Sequence, residues 1–208
     1  LCQIMGFSGR TEMLRLFRDS YVGGWPDYAT RLDHLREKGD ESASGLLAEF
    51  VEAGRSSLEM LLKSVDTRQL DEAVAALAKA RTVHIIGLRR SFPIASYLAY
   101  AFEKMKVPAV LHSAVGGLGN ISAISRDDAL IAITFSPYSA ETLELAENAR
   151  ANGIPVVALS DSAVNPLRKS GATLLTVTEI DFGAFRSLSA TLCLAITLAV
   201  AVGTRKTA

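Results

Sequence analysis

Two turns in this 208-residue chain carry the residue types and spacings that suit anion chemistry, Gly87-Leu88-Arg89-Arg90-Ser91 and Ser136-Pro137-Tyr138-Ser139-Ala140-Glu141-Thr142. Each follows a short apolar run, Val83-His84-Ile85-Ile86 in the first case and Ala129-Leu130-Ile131-Ala132-Ile133 in the second, and each opens a helical pattern. A strand ending in such a turn aims free backbone N–H groups and hydroxyls beyond its end, where the dipole of the next helix favours an anion. Ser91, Ser139 and Thr142 are the hydroxyl candidates, Ser136 stands beside them, and Arg89 or Arg90 would add charge-assisted bonds. Each residue also has a local alternative. Ser91 suits an N-cap with Pro93 in the first helical turn, Ser139 suits the N-cap of a helix over Ala140 to Asn152, and both arginines suit solvent. Two such turns in the same class of position favour a shared ligand.

A third turn, Ser160-Asp161-Ser162, either lines the same crevice or merely forms a turn, for which Ser and Asp are common choices. Glu179, Asp181 and Arg186 follow the last strand signal and are placed to reach a ligand's hydroxyls or to sit in solvent. A dinucleotide is not expected, because Arg89 stands where a second glycine would let backbone approach a pyrophosphate and no third glycine follows. Cys2 and Cys193 lack ligand spacing and His34, His84 and His112 are isolated, so a reduced, cytoplasmic protein with neither metal nor cofactor is expected.

The elements that must position these turns alternate. Strands are predicted over Val83 to Gly87, Pro108 to Leu111, Ala129 to Thr134, Pro155 to Ser160 and Thr173 to Thr178. Helices are predicted over Ile94 to Met105, Ala114 to Ile124, Ala140 to Asn152 and Asn165 to Ser170. Short, nearly continuous apolar strands between helices predict an α/β fold with a five-stranded parallel sheet covered on both faces. In a flavodoxin-like order 2-1-3-4-5, the ends of the first and third strands meet at the topological switch point, where ligands bind.

Upstream the pattern is helical. A helix through Thr11 to Phe17 is stopped by Gly23-Gly24-Trp25-Pro26-Asp27, and a long one is predicted over Ser42 to Val65. Its stripe of Leu47, Phe50, Val51, Leu58, Leu61, Leu62 and Val65 needs a partner. Thr67 is expected to cap a third helix that carries Leu70, Val74 and Leu77 on one face. The apolar stretch Leu188 to Gly203 falls short of the roughly 20 residues of a membrane span, and a buried helix, or one at a subunit interface, is expected instead.

Hydrophobic residues make up 49% of the chain, enough for one sizeable core and a smaller appendage. Formal charge is zero: an acidic excess of three over residues 1–80 balances a basic excess of three over residues 81–208. Neither half has the dense basic stripe of a complete nucleic-acid surface. The chain opens on Leu1 rather than Met, and a missing upstream part is expected.

Ile86-Gly87-x-x-x-Ser91, Ile133-Thr134-Phe135-Ser136-Pro137-Tyr138-Ser139-Ala140-Glu141-Thr142, and Ala158-Leu159-Ser160-Asp161 with Asn165-Pro166-Leu167 together resemble the sugar isomerase (SIS) domain, over Thr82 to about Val202. In that family the first turn commonly reads G-x-G-x-S and the second S-x-S-G-x-T. The resemblance implies that Ser91, Ser139 and Thr142 hold the phosphate of a phosphosugar, that Tyr138 contributes backbone, and that Ser160 lies on a third contributing loop. Arg89, Pro137 and Ala140 depart from the pattern by replacing a glycine, a serine and a glycine. The opening Leu1 to Gly9, with Gly6-Phe7-Ser8-Gly9, resembles the tail of the helix-turn-helix domain of RpiR/MurR-type regulators. That resemblance implies a remnant DNA-binding domain over residues 1–22, a helical linker and oligomerisation segment over 23–80, and a SIS domain over 81–208.

Three functions compete. The first is a transcriptional regulator whose SIS domain binds a phosphosugar or related effector, assembles as a homodimer or homotetramer, and contacts DNA through the mostly absent N-terminal domain. The second is an aldose–ketose phosphosugar isomerase, for which Glu179, Glu141 and His112 are acid/base candidates in no identifying spacing. The third is a structural dimerisation module with a vestigial pocket.

Overall fold

The computed structural model describes residues 26–37, 42–113, 124–169 and 171–206. The helix expected over Thr11 to Phe17 and, apart from Ile124, the one expected over Ala114 to Ile124 lie outside the described residues. Five strands, β1 Val83–Gly87, β2 Ala109–His112, β3 Ala129–Ile133, β4 Val156–Ser160 and β5 Thr173–Thr176, form one parallel sheet in the order β2-β1-β3-β4-β5. Every residue of β1, β3 and β4 is buried, which is why these segments read as unbroken apolar runs rather than alternating ones. Val83 pairs with Ala129 and Gly87 with Ile133, so the carboxyl ends of β1 and β3 are level.

Seven helices accompany the strands among the described residues: α1 Tyr28–Glu37, α2 Ala43–Ser64, α3 Thr67–Lys79, α4 Phe92–Lys104, α5 Ala140–Ala151, α6 Pro166–Lys169 and α7 Ser189–Lys206. Successive strand side chains point to opposite faces, and two cores result. Ile85, Ile131, Ile133 and Leu159 pack with Leu77 of α3, Leu98 and Phe102 of α4, and Leu198 of α7. Ile86, Leu130, Ala132 and Ala158 pack with Leu145 of α5 and Leu167 of α6. At roughly 25 cal/mol per Å² of apolar surface removed from water, these two layers dominate the folding free energy.

The helix starts refine the sequence reading. Asp66, not Thr67, caps α3: its Oδ1 accepts the backbone N–H groups of Arg68 at 3.0 Å and Gln69 at 3.1 Å, and Thr67 is the first helical residue. A carboxylate satisfies two orphan donors at once and is also favoured by the helix dipole. Helix α3 is itself part of the core, with Ala73, Val74 and Leu77 buried and Asp71 paired with Arg205 of α7. Helix α7 is long and apolar enough to cross a membrane, yet it buries Ala190, Leu194, Leu198 and Val202 in the core and leaves Cys193, Ile196 and Val200 exposed.

The chain divides into two compact units, one comprising Leu1–Phe50 with Asp181–Arg186 and the other Val51–Ile180 with Ser187–Ala208. In the first, β6 Asp181–Phe182 and β7 Phe185–Arg186 make a hairpin absent from the sequence reading, turning through Gly183 and Ala184 at φ 57° and 64°. Positive φ at both central residues belongs to the turn whose twist matches that of paired strands. Asp181 and Arg186 pair directly across this hairpin. The sheet and both cores belong to the second unit, and the site described next lies wholly within it.

Candidate functional site

The first turn is built on a close approach. A Cβ on Gly87 would lie 3.0 Å from the Ser91 carbonyl oxygen, 3.1 Å from Ala95 Cβ and 3.3 Å from Ile133 Cβ, so only glycine lets α4 start hard against the strand ends. Residues Arg89–Ser91 form a single 3-10 turn, and Arg89 adopts φ 55°. A non-glycine residue there costs roughly 1–2 kcal/mol, which explains why the related motif has glycine at this place. Ser91 has helical backbone angles and makes no capping bond, so its hydroxyl is not consumed by the local alternative. Arg90 donates to the Ser187 carbonyl at 3.0 Å and lies over the Phe135 ring at 5.4 Å, which fixes it to the scaffold.

The second turn is wired from inside. The Ser139 N–H donates to Thr134 Oγ1 at 3.0 Å, Ser160 Oγ donates to the Thr134 carbonyl at 2.8 Å, and the Ser136 N–H donates to Asp161 Oδ2 at 3.0 Å. The Ser136–Pro137 bond is cis, and Tyr138 is half-buried. Ser139 is the N-cap of α5, accepting the Thr142 N–H at 3.3 Å and donating its own proton to Glu141 Oε2 at 2.7 Å. The Ser139 bond holds the Glu141 carboxyl below the usual range, with help from its own backbone N–H and the Arg89 charge. Thr142, one residue further, is fully buried and its Oγ1 has no hydrogen-bond partner. A buried hydroxyl without a partner costs about 1–3 kcal/mol and marks a place where a ligand atom would be welcome.

Ser139, Glu141 and Thr142 thus stand at the start of α5, with Arg89 3.8 Å from Glu141 and Ser91 two residues further on, at the start of α4. Ser136 and Ser160 are tied into the turn itself through backbone and hydroxyl bonds. Glu179 is elsewhere engaged: its Oε1 accepts both the N–H and the hydroxyl of Thr191, and its Oε2 accepts the Ser187 hydroxyl, all at 2.7 Å. Those bonds satisfy the N-terminus of α7, where an acidic group is stabilising. Among the described residues no cluster of three or more His, Cys, Asp or Glu side chains could hold a metal ion.

The sequence reading missed the organising roles of Thr134 and Asp161, and it missed a polar chain centred on the buried Asp128 and His84. Arg81 meets Asp128 at 3.2 Å, the Ser125 N–H and hydroxyl each donate to Asp128 Oδ2 at 2.8 Å, His84 Nε2 lies 3.5 Å from the same oxygen, and His84 Nδ1 is 3.0 Å from His112 Nε2. Burial works against the Asp128 charge, but the Arg81 and Ser125 bonds outweigh it and hold this carboxyl far below its ordinary value. Burial pushes both imidazoles below theirs, with Asp128 partly countering it at His84. His112, isolated in sequence, is therefore the neutral end of a hydrogen-bonded chain. No spacing signal could have revealed it, since its members come from β1, β2 and the turns that precede β1 and β3.

With this geometry in view, likeness to known proteins can be placed. The SIS domain family matches residues 76–201. An HTH-type transcriptional regulator of Clostridium perfringens is 25% identical over 153 residues, covering 73% of this chain and 55% of the relative. The HTH-type transcriptional regulator HexR of Escherichia coli is 25% identical over 175 residues, covering 78% and 60%. The chain thus spans little more than half the length of these curated relatives. Among solved structures, the sugar isomerase domain of an RpiR transcription factor from Sphaerobacter thermophilus superposes with TM-score 0.73 at 19% identity, covering 78% of this chain and 92% of that one. The Vibrio vulnificus NanR protein complexed with ManNAc-6P gives 0.69 at 24% identity over 97% of this chain and 76% of its own. The five-stranded parallel sheet, the hydroxyl-bearing turn at its switch point and the family match agree: the chain belongs to the SIS domain family.

Proposed function

We propose that this chain is the effector-sensing part of a transcriptional regulator and that a phosphosugar binds at the switch point between β1 and β3. One observation carries the ligand reading: Thr142 presents a fully buried hydroxyl with no partner on the first turn of α5. Ser139 on the same turn and Ser91 at the start of α4 would supply further hydroxyl contacts, the dipole at the start of α5 would favour the negative charge, and Arg89 would add a positive one. The regulator reading rests on the HTH-type relatives, the E. coli and C. perfringens proteins among them. In this reading residues 1–22 belong to a helix-turn-helix domain, residues 23–80 link it to the SIS domain over 81–208, and the protein works in the cytoplasm. The effector acts by binding two arrangements of the assembly unequally, which is the requirement for any ligand-driven switch.

The three acid/base candidates for isomerisation are all otherwise engaged, Glu179 by α7, Glu141 by Ser139 and His112 by His84. That favours a binding role over turnover. Assembly as a homodimer or larger is supported by α2, where Leu47, Val51, Leu58 and Leu62 recur at helical spacing and are exposed, Leu62 to 84%. Charged substitutions at Leu58 and Leu62 should give a folded but dissociated protein by light scattering.

Calorimetric titration with hexose 6-phosphates and with the matching unphosphorylated sugars tests the reading. Phosphosugars should bind and the sugars bind far more weakly. Equal affinities would overturn it.

A further inference from the structure

The N-terminus of α5 already holds an anion of the chain's own. Glu141, the second residue of that helix, takes the Ser139 hydroxyl proton on Oε2 at 2.7 Å, and its Oε1 lies 3.8 Å from Arg89 Nη2. Both groups are ones that a phosphate at this turn would use. One carboxylate oxygen takes the Ser139 hydroxyl proton and the other faces the arginine, while the buried hydroxyl of Thr142, on the same helical turn, stays without a partner. A tetrahedral anion with more acceptors and more charge matches that donor set better than a planar carboxylate does. The Glu141 side chain is 46% exposed, so it can swing into water without breaking into the core.

Building on the phosphate reading of this crevice, we infer that Glu141 is a built-in competitor for the ligand's phosphate and sets the affinity threshold of the site. Binding is an exchange. Ser139 Oγ turns its proton from the Glu141 carboxylate to a phosphate oxygen, Arg89 changes partner in the same way, and the displaced carboxylate moves into solvent because two like charges cannot share these donors. The competitor is tethered within reach of Ser139, so it acts at high effective concentration however dilute the ligand is. A weak or singly charged anion is thereby kept out.

The test uses the whole chain with inorganic phosphate and a hexose 6-phosphate as probes, titrated into wild type, Glu141→Gln, Glu141→Ala and Glu141→Asp. Removing a like charge at contact distance from a doubly charged phosphate in a water-exposed site should tighten binding by about tenfold in the Gln and Ala variants. The Asp variant, which keeps the charge, should stay near wild type. Melting temperatures provide the control: a glutamate that only stabilises the start of α5 would lower the melting temperature when replaced and leave affinity unchanged. Wild-type binding with no gain in the Gln and Ala variants overturns the competitor role and leaves the phosphate site standing. Failure of all four proteins to bind either probe overturns the phosphate reading, and the competitor role with it.

Discussion

Replacing Thr142 by Val should move stability and ligand affinity in opposite directions. The two side chains share a branched shape and similar helix propensity, and they differ mainly in the hydroxyl. In the ligand-free protein that hydroxyl is fully buried and without a partner. Its removal therefore lifts a desolvation penalty of about 1–3 kcal/mol instead of breaking a bond. For a protein of this size each kcal/mol corresponds to about 2–4 °C, so Thr142→Val should melt several degrees higher, by roughly 2–6 °C after partial relaxation is allowed for. With ligand the sign reverses. A hydroxyl bond to a charged phosphate is worth about 1.5–3 kcal/mol, which predicts a 10- to 150-fold loss of phosphosugar affinity. Differential scanning calorimetry without ligand and isothermal titration with a hexose 6-phosphate read the two effects separately. A variant that melts lower and binds phosphosugar as wild type does would refute the reasoning, since the hydroxyl would then have a partner inside the fold and none in the ligand.

Four further outcomes are expected. His84 and His112 are held below the ordinary imidazole value by burial, so the unfolded state takes up protons first as pH falls; stability should be level above about pH 6.5 and decline below it, and His84→Gln should flatten that slope in melts between pH 5 and 8. Asp128 is also held below its ordinary value, which for a carboxylate stabilises the charged form, so its contribution persists until pH falls below about 4, the unfolded value, and acid melts of Asp128→Asn should lack this second decline. Arg89→Gly and Arg89→Ala remove the same charge, but glycine also relieves the φ of 55°; it should be the more stable of the two by about 1 kcal/mol in urea melts, and equal stability would mean the backbone relaxes instead. Glu179→Ala strips three bonds from the start of α7 and should cost about 2–4 kcal/mol, a loss that chemical denaturation would detect without any ligand.

Local chemistry, legible along the chain, already specified the α/β class, the five strands to within two residues and the turns that carry Ser91, Ser139 and Thr142. Apolar runs bounded by Gly87, Gly153 and Gly171 can bury themselves only in a sheet covered on both faces, and a hydroxyl before a helical pattern has few local uses. The burial and partnering of each hydroxyl were a different matter. Ser139, Thr142 and Ser160 look alike as residues in strand-end turns, but Ser160 donates to Thr134 across two strands, Ser139 donates to Glu141, and Thr142 alone is left unmatched. The same holds for the acids and bases: Glu179 binds the start of a helix twelve residues away, and His112 joins His84 of β1 and Asp128 from the turn before β3. Element type follows from periodicity and turn chemistry within a few residues of each position. Which donor meets which acceptor depends on distances between segments far apart in sequence, and those are set only when the parallel sheet brings the strand ends together.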